Sequence, residues 1–223
     1  MNEMLFGVYP YIATTIFLLG SMYRYDREQY TWKANSSQIL SKKGLRWGSN
    51  LFHIGIILLF FGHLVGLVTP HSVYSLVISA QHKQILAMTA GGIFGSLCFI
   101  GMVILIHRRI TNPRIRTTTR VGDWVALLLL FVQLCLGLLT IPASAQHLDG
   151  SSMINLANWA QHILTFRPGA AAFIAPEPFI FKLHIVLGLT MFVVFPFTRL
   201  VHVWSMPVQY ITRKGYQIVR KRG

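Results

Sequence analysis

The sequence predicts an all-α integral membrane protein, a five-transmembrane-helix bundle in a single domain. Three observations carry that prediction. Of 223 residues, 53% are hydrophobic and only 12% charged, against about 25% charged in a soluble domain. Five apolar stretches reach the roughly 20 residues that a helix needs to cross a hydrocarbon core of about 30 Å. The Lys and Arg residues gather in alternate loops between those stretches, the pattern that orients membrane helices. The net charge of +14 is therefore topological, and because the charges share no single polar face, no nucleic-acid partner is expected.

The predicted spans lie near residues 4–23, 48–69, 84–106, 123–143 and 179–204. The first begins almost at Met1, without a basic leader or a small-residue cleavage site, so it reads as a retained helix rather than a signal peptide. Cys98 and Cys135 fall inside the third and fourth spans with neither C-x-x-C nor C-x-x-C-H spacing, which makes them packing residues and excludes a c-type haem attachment. Between the fourth and fifth spans, INLANWAQHILTF has a helical apolar pattern but is too short to cross. It is expected to lie along the membrane surface. Residues 205–223 form a short basic tail, and with no repeat or long linker the whole of 1–223 reads as one domain.

Lys and Arg near helix ends favour the cytoplasm. One side receives Arg24, Arg27, Lys33, Lys42, Lys43 and Arg46, then Arg108, Arg109, Arg114, Arg116 and Arg120, then Arg213, Lys214, Arg220, Lys221 and Arg222. The other receives only Lys83, Arg167 and Lys182. This bias predicts an N-terminus outside and a C-terminus in the cytoplasm, with the basic tail as a candidate docking face.

The second and fifth spans, SNLFHIGIILLFFGHLVGL and FKLHIVLGLTMFVVFPFTRLVHVW, each carry two histidines. Ionisable residues inside a membrane are costly and face the bundle interior with a functional partner. His53 lies about 10 Å past Arg46 on the basic side, and His202 lies near the same side, whereas His63 and His184 lie near the other. The two spans run antiparallel, so His53 matches His202 in depth and His63 matches His184. Each pair suits one b-type haem held between helices 2 and 5 by two axial imidazoles, which makes these four residues the candidate metal ligands. One count fits poorly: the two helix 2 histidines are about 15 Å apart along the axis and the two of helix 5 about 27 Å if both helices are continuous. Gly55, Gly62, Gly66 and Gly188 are candidates for making room for the macrocycles, and Arg108, Arg109 and Arg199 for binding haem propionates, although each arginine also satisfies the positive-inside rule. His71, His82, His107, His147 and His162 read as interface residues.

The motifs SNLFHIG, FFGHLVGLVTPH, KLHIVLGLTMF, FPFTRLVHVWSMPVQY and YPYIATTIFLLGSMYRYDREQYTWKANSSQ resemble the gamma (cytochrome b) subunit of membrane-bound respiratory nitrate reductases over nearly the whole chain. The resemblance implies that His53 and His202 hold the haem nearer the cytoplasmic partners, and that His63 and His184 hold the distal haem near the outer face. It implies that Lys83, in AQHKQILAMTAGG, helps bind quinol, menaquinol or ubiquinol. It further implies release of protons outside and electron flow to an iron–sulfur beta subunit and a molybdenum-containing alpha subunit that reduces nitrate in the cytoplasm. The expected location is the bacterial inner membrane. Two other readings stand beside it at this point. One is the cytochrome subunit of a formate dehydrogenase, hydrogenase or sulfur-pathway complex; the other is a haem-free transporter or structural anchor, which the lack of acidic residues inside the spans disfavours.

Overall fold

The computed structural model describes residues 1–34, 36–146 and 148–205. His147 and the basic tail beyond Ser205 lie outside the described residues. Five helices are long and apolar enough to cross a membrane. They are α1 (Tyr9–Arg27, entered through a π-helical turn Met4–Val8), α2 (Leu45–Val68), α4 (Ala80–Thr111), α6 (Val121–Ala145) and α9 (Phe179–Val194). Short helices join them: α3 (His71–Tyr74), α5 (Pro113–Thr118), α7 (Ser151–Leu164) and α8 (Ala170–Ile174). The short helix expected between the fourth and fifth spans is present as α7, and it begins at a glycine. Gly150 has φ 84°, and a Cβ there would come within 2.7 Å of Ala80 Cβ, so the start of α7 rests directly on the start of α4.

Neighbours follow the order α2, α4, α6, α9, α1. The α2 and α4 backbones cross closely because glycines remove the side chains between them. A Cβ on Gly55 would stand 2.6 Å from Cys98 Cβ and 2.7 Å from the Phe94 carbonyl oxygen. Gly55 therefore serves helix packing, not a macrocycle, in the manner of small residues at membrane helix interfaces. Cys98 is fully buried at this crossing and Cys135 is half-buried; both are free thiols.

Residues 28–34, 36–44 and 112–120 cap one end of the bundle, here the basic end; residues 69–79 and 148–178 cap the far end. At the far end α7 is tied to two spans. Trp159 Nε1 donates to the Phe6 carbonyl (2.8 Å) and Gln161 Nε2 to the Leu67 carbonyl (3.0 Å). Phe6, Trp159, Ala160, Ala170, Ala171 and Ile174 form the apolar core beneath these bonds.

The fifth span departs from its expected form. Instead of one helix over 179–204, α9 stops at Val194, a 3-10 turn covers Phe195–Phe197, Thr198 is extended, and a second 3-10 stretch runs over Arg199–Ser205. Pro196 is the cause, since it has no N–H to donate and its ring clashes with the preceding turn. Arg24 satisfies the carbonyls this break frees: its Nη1 donates to Pro196 O (2.6 Å) and Thr198 O (2.7 Å). Phe17 of α1 packs on Phe192, Phe195 and Trp204 around the same bend.

Candidate functional site

At the far end, His63 sits on the lipid-depth part of α2 with its ring exposed within the apolar span. Its Nδ1 lies 2.8 Å from the Leu59 carbonyl, so Nδ1 carries the proton and Nε2 keeps a free lone pair. The ring of His184, on α9, has its centre 6.2 Å from that of His63, with the planes inclined by 34°. With metal–imidazole bonds of about 2.0–2.1 Å and about 1.1 Å from nitrogen to ring centre, two axial imidazoles on one iron stand about 6.3 Å apart. The pair thus fits bis-imidazole ligation. Neither Gly62 nor Gly66 would bring a Cβ within 4 Å of another side chain or element. Gly188 differs: its missing side chain makes room for Gln133 of α6, whose Nε2 would be 3.1 Å from a Cβ there.

At the basic end, His53 Nδ1 lies 2.7 Å from the Ser49 carbonyl and His202 Nδ1 lies 2.6 Å from the Arg199 carbonyl. Both therefore present Nε2 as a ligand in the same tautomer as His63. Among the described residues no ring contact joins His53 to His202. The α-helical part of this span reaches only ten residues beyond His184, to Val194, about 15 Å, so the sequence count over one continuous helix does not apply to His202.

The arginines divide. Arg108 is buried at the end of α4 and turned towards the 36–44 loop, donating Nε to Lys43 O (3.1 Å), Nη1 to Ser37 Oγ (2.7 Å), and Nη2 to Ser37 O (3.1 Å) and Ser41 O. Its described donors hold that loop. Arg199 Nε stands 3.6 Å from Asp123 Oδ1, and Asp123 Oδ2 also accepts from the Arg120 backbone N–H (3.2 Å), capping α6. Arg109 donates Nη1 to Thr119 Oγ1 (3.0 Å) and lines a cavity of about 220 Å³ with Asp123, Thr118, Thr119 and Ser36. Arg109 therefore borders free space at the basic end, and Arg199 stands beside Asp123, which lines the same cavity.

Lys83 is not a loop residue. It lies in the first turn of α4, 7% exposed, with Nζ 3.7 Å from the centre of the Tyr74 ring. Neither Lys83 Nζ nor Tyr74 Oη has a hydrogen-bond partner, and both are buried. Burial pushes the Tyr74 phenol above its ordinary pKa of 10.0, so it stays a neutral donor at physiological pH. An ammonium held on an aromatic face beside a neutral phenol is stabilised by the ring while keeping its N–H donors for a polar guest. The remaining histidines are local: His71 packs edge-on to Tyr74, His82 Nδ1 meets Ser79 Oγ at 2.7 Å, and His162 packs on Phe173.

A family model, described as nitrate reductase gamma subunit, matches residues 2–222. The chain belongs to that family. It is 54% identical to the respiratory nitrate reductase 1 gamma chain of Escherichia coli (strain K12) and 52% identical to its nitrate reductase 2 counterpart, in each case over 100% of this chain and 98% of the relative. The nitrate reductase gamma chain of Bacillus subtilis (strain 168) is 40% identical over 99% of both chains. Membership in this family makes the protein the membrane subunit of an oxidoreductase complex that includes other nitrate reductase subunits, and it decides against the formate dehydrogenase and transporter readings.

Three residues escaped the sequence reading. Arg24 read only as a topological charge, and Tyr74 followed no periodicity. Gln133 did carry a signal, as a lone amide in the apolar run LLLLFVQLCLGLL.

Proposed function

We propose that this chain is a di-haem cytochrome b subunit that oxidises quinol near the outer face of the bacterial inner membrane. Its N-terminus lies outside, its C-terminus lies in the cytoplasm, and it is one membrane domain. The observation that carries the proposal is the His63–His184 pair, two imidazoles 6.2 Å apart on separate membrane helices. A buried lysine donor without a hydrogen-bond partner, in the first turn of α4 at the far end, supports it. When bound, haem b supplies the one-electron couple that a two-electron quinol needs to release its electrons singly.

The chain's own residues supply the rest. His63 and His184 hold the distal haem, and His53 and His202 the one nearer the cytoplasm, each orienting its ring through Nδ1 or a neighbouring helix. Lys83 Nζ, with Tyr74 beside it, donates to a quinol oxygen and stabilises the negative charge that grows there as the hydroxyl proton departs. Both protons leave on the outer side. Arg109 and Arg199 neutralise propionates of the inner haem, with Asp123 holding Arg199 in place. Electrons then pass to an iron–sulfur beta subunit and a molybdenum-containing alpha subunit that reduces nitrate.

The test is reduction of the complex by a menaquinol or ubiquinol analogue, followed by haem absorbance. Both haems should reduce in the wild type. Lys83→Ala should retain both haems yet slow their reduction ten- to hundredfold, the worth of a hydrogen bond from a charged group, about 1.5–3 kcal/mol. Wild-type rates in that variant would contradict the quinol role of Lys83.

A further inference from the structure

Three of the four ligand histidines orient themselves in one way, each through Nδ1 and a carbonyl of its own helical segment: Leu59 for His63, Ser49 for His53 and Arg199 for His202. His184 does not. Its Nδ1 is buried and has no hydrogen-bond partner. What touches the ring comes from another helix: Gln133 of α6 donates Nε2 to the His184 carbonyl (3.1 Å), and the same amide nitrogen stands 3.4 Å from His184 Nε2. Gln133 Oε1 is also buried and without a partner.

These two unsatisfied atoms are complementary, one a potential N–H donor and the other a carbonyl acceptor, on side chains already in contact. Leaving both unmet in a low-dielectric interior is costly. The contact is built by two glycines. A Cβ on Gly188 would press on Gln133 Nε2 at 3.1 Å, and one on Gly137, a turn beyond Gln133, would press on His184 Cε1 at 3.1 Å. Packing therefore holds the amide against the imidazole, and exchanging the ring's two edges together with the amide's oxygen and nitrogen would set Gln133 Oε1 against His184 Nδ1.

We propose that Gln133 is the positioning residue of the distal ligand: its Oε1 accepts the Nδ1–H of His184, leaving Nε2 for iron. Ring and amide orientations are set by such bonds. The acceptor raises the basicity of the imidazole and so favours ferric over ferrous iron at this haem. His63 has a backbone carbonyl in this role, so the distal site alone is adjustable by a side chain on a third helix. The inference rests on the reading of His184 as a haem ligand.

The experiment measures haem content and the reduction potential of each haem in the complex for wild type, Gln133→Leu and Gln133→Glu. Gln133→Leu should weaken the ferric preference of the distal haem about tenfold, a rise of about 59 mV for a one-electron couple, without moving the other haem. Gln133→Glu keeps an acceptor and should hold the distal potential at or below wild type. If Gln133→Leu loses the distal haem while Gln133→Glu keeps it, the inference is again supported. Unmoved potentials in Gln133→Leu, equal shifts in both variants, or distal haem loss in both overturn it. A His184→Ala complex that still carries two haems defeats instead the parent reading of the site.

Discussion

The two histidine pairs sit at opposite ends of one bundle and are held by different means. At the far end, His63 and His184 lie within continuous helices, and their rings are already at the separation one iron requires. At the basic end, His202 rides on a 3-10 stretch beyond a proline break, and hydrogen bonds secure it: Arg24 to the Pro196 and Thr198 carbonyls, and Trp32 Nε1 to Ser205 Oγ at 2.5 Å. The comparison teaches that a regular helix satisfies its own backbone and so carries a ligand at a set place without outside help. A ligand on irregular backbone needs polar groups from elsewhere in the chain to satisfy what the helix no longer does.

The sharpest way to break the comparison is to remove a ligand. His63→Ala or His184→Ala should abolish the distal haem and leave the other, halving the haem absorbance per chain; an unchanged spectrum contradicts the pairing. Next in size is Arg24→Ala, which strands the carbonyls of the Pro196 break at about 1–3 kcal/mol. It should loosen the haem at His53 and His202 while sparing the distal one, as read from haem retention on mild heating. Equal loss of both haems would mean that Arg24 supports the whole fold instead.

Glycines give a smaller contrast. Gly55→Ala forces a Cβ into the α2–α4 crossing, where overpacking costs about 1–3 kcal/mol and should lower the thermal midpoint, whereas Gly62→Ala meets nothing within 4 Å and should leave it unchanged. The smallest effect is expected at Tyr74. Tyr74→Phe keeps the ring under Lys83 but removes a hydroxyl worth about 0.5–1.5 kcal/mol, so quinol-driven reduction should slow about two- to tenfold. Because its pKa is raised by burial, wild-type stability from this group is fully present below the ordinary value of 10.0 and declines as pH climbs through the folded-state value. Tyr74→Phe should lack that alkaline decline in a pH series of thermal midpoints.

Much of this was legible in the residues. Length and hydropathy give five spans because crossing a bilayer imposes a length, and the four histidines stand out because polar groups at that depth are costly. The surface helix α7 was visible in its apolar period. What was hidden arises from three-dimensional placement. The break after Val194 follows from Pro196, yet a proline in a membrane helix is often tolerated, and only the Arg24 bonds show why here the chain turns. Lys83 was counted with the loop cations because α4 starts earlier than hydropathy suggests, at Ala80. Gly55 and Gly62 look alike in sequence and, two turns apart, lie on nearly the same face of α2, yet a Cβ at Gly55 would meet α4 and one at Gly62 would meet nothing within 4 Å. Arg108 and Arg109 are adjacent, yet one ties a loop and the other lines a cavity.

The central claim is that the four histidines hold two haems, and counting haem in the purified complex tests it most directly. Two b-type haems per gamma chain in the wild type, with one remaining in His184→Ala, is the predicted result. A fully loaded wild-type complex with a single b-type haem, or none, would contradict it.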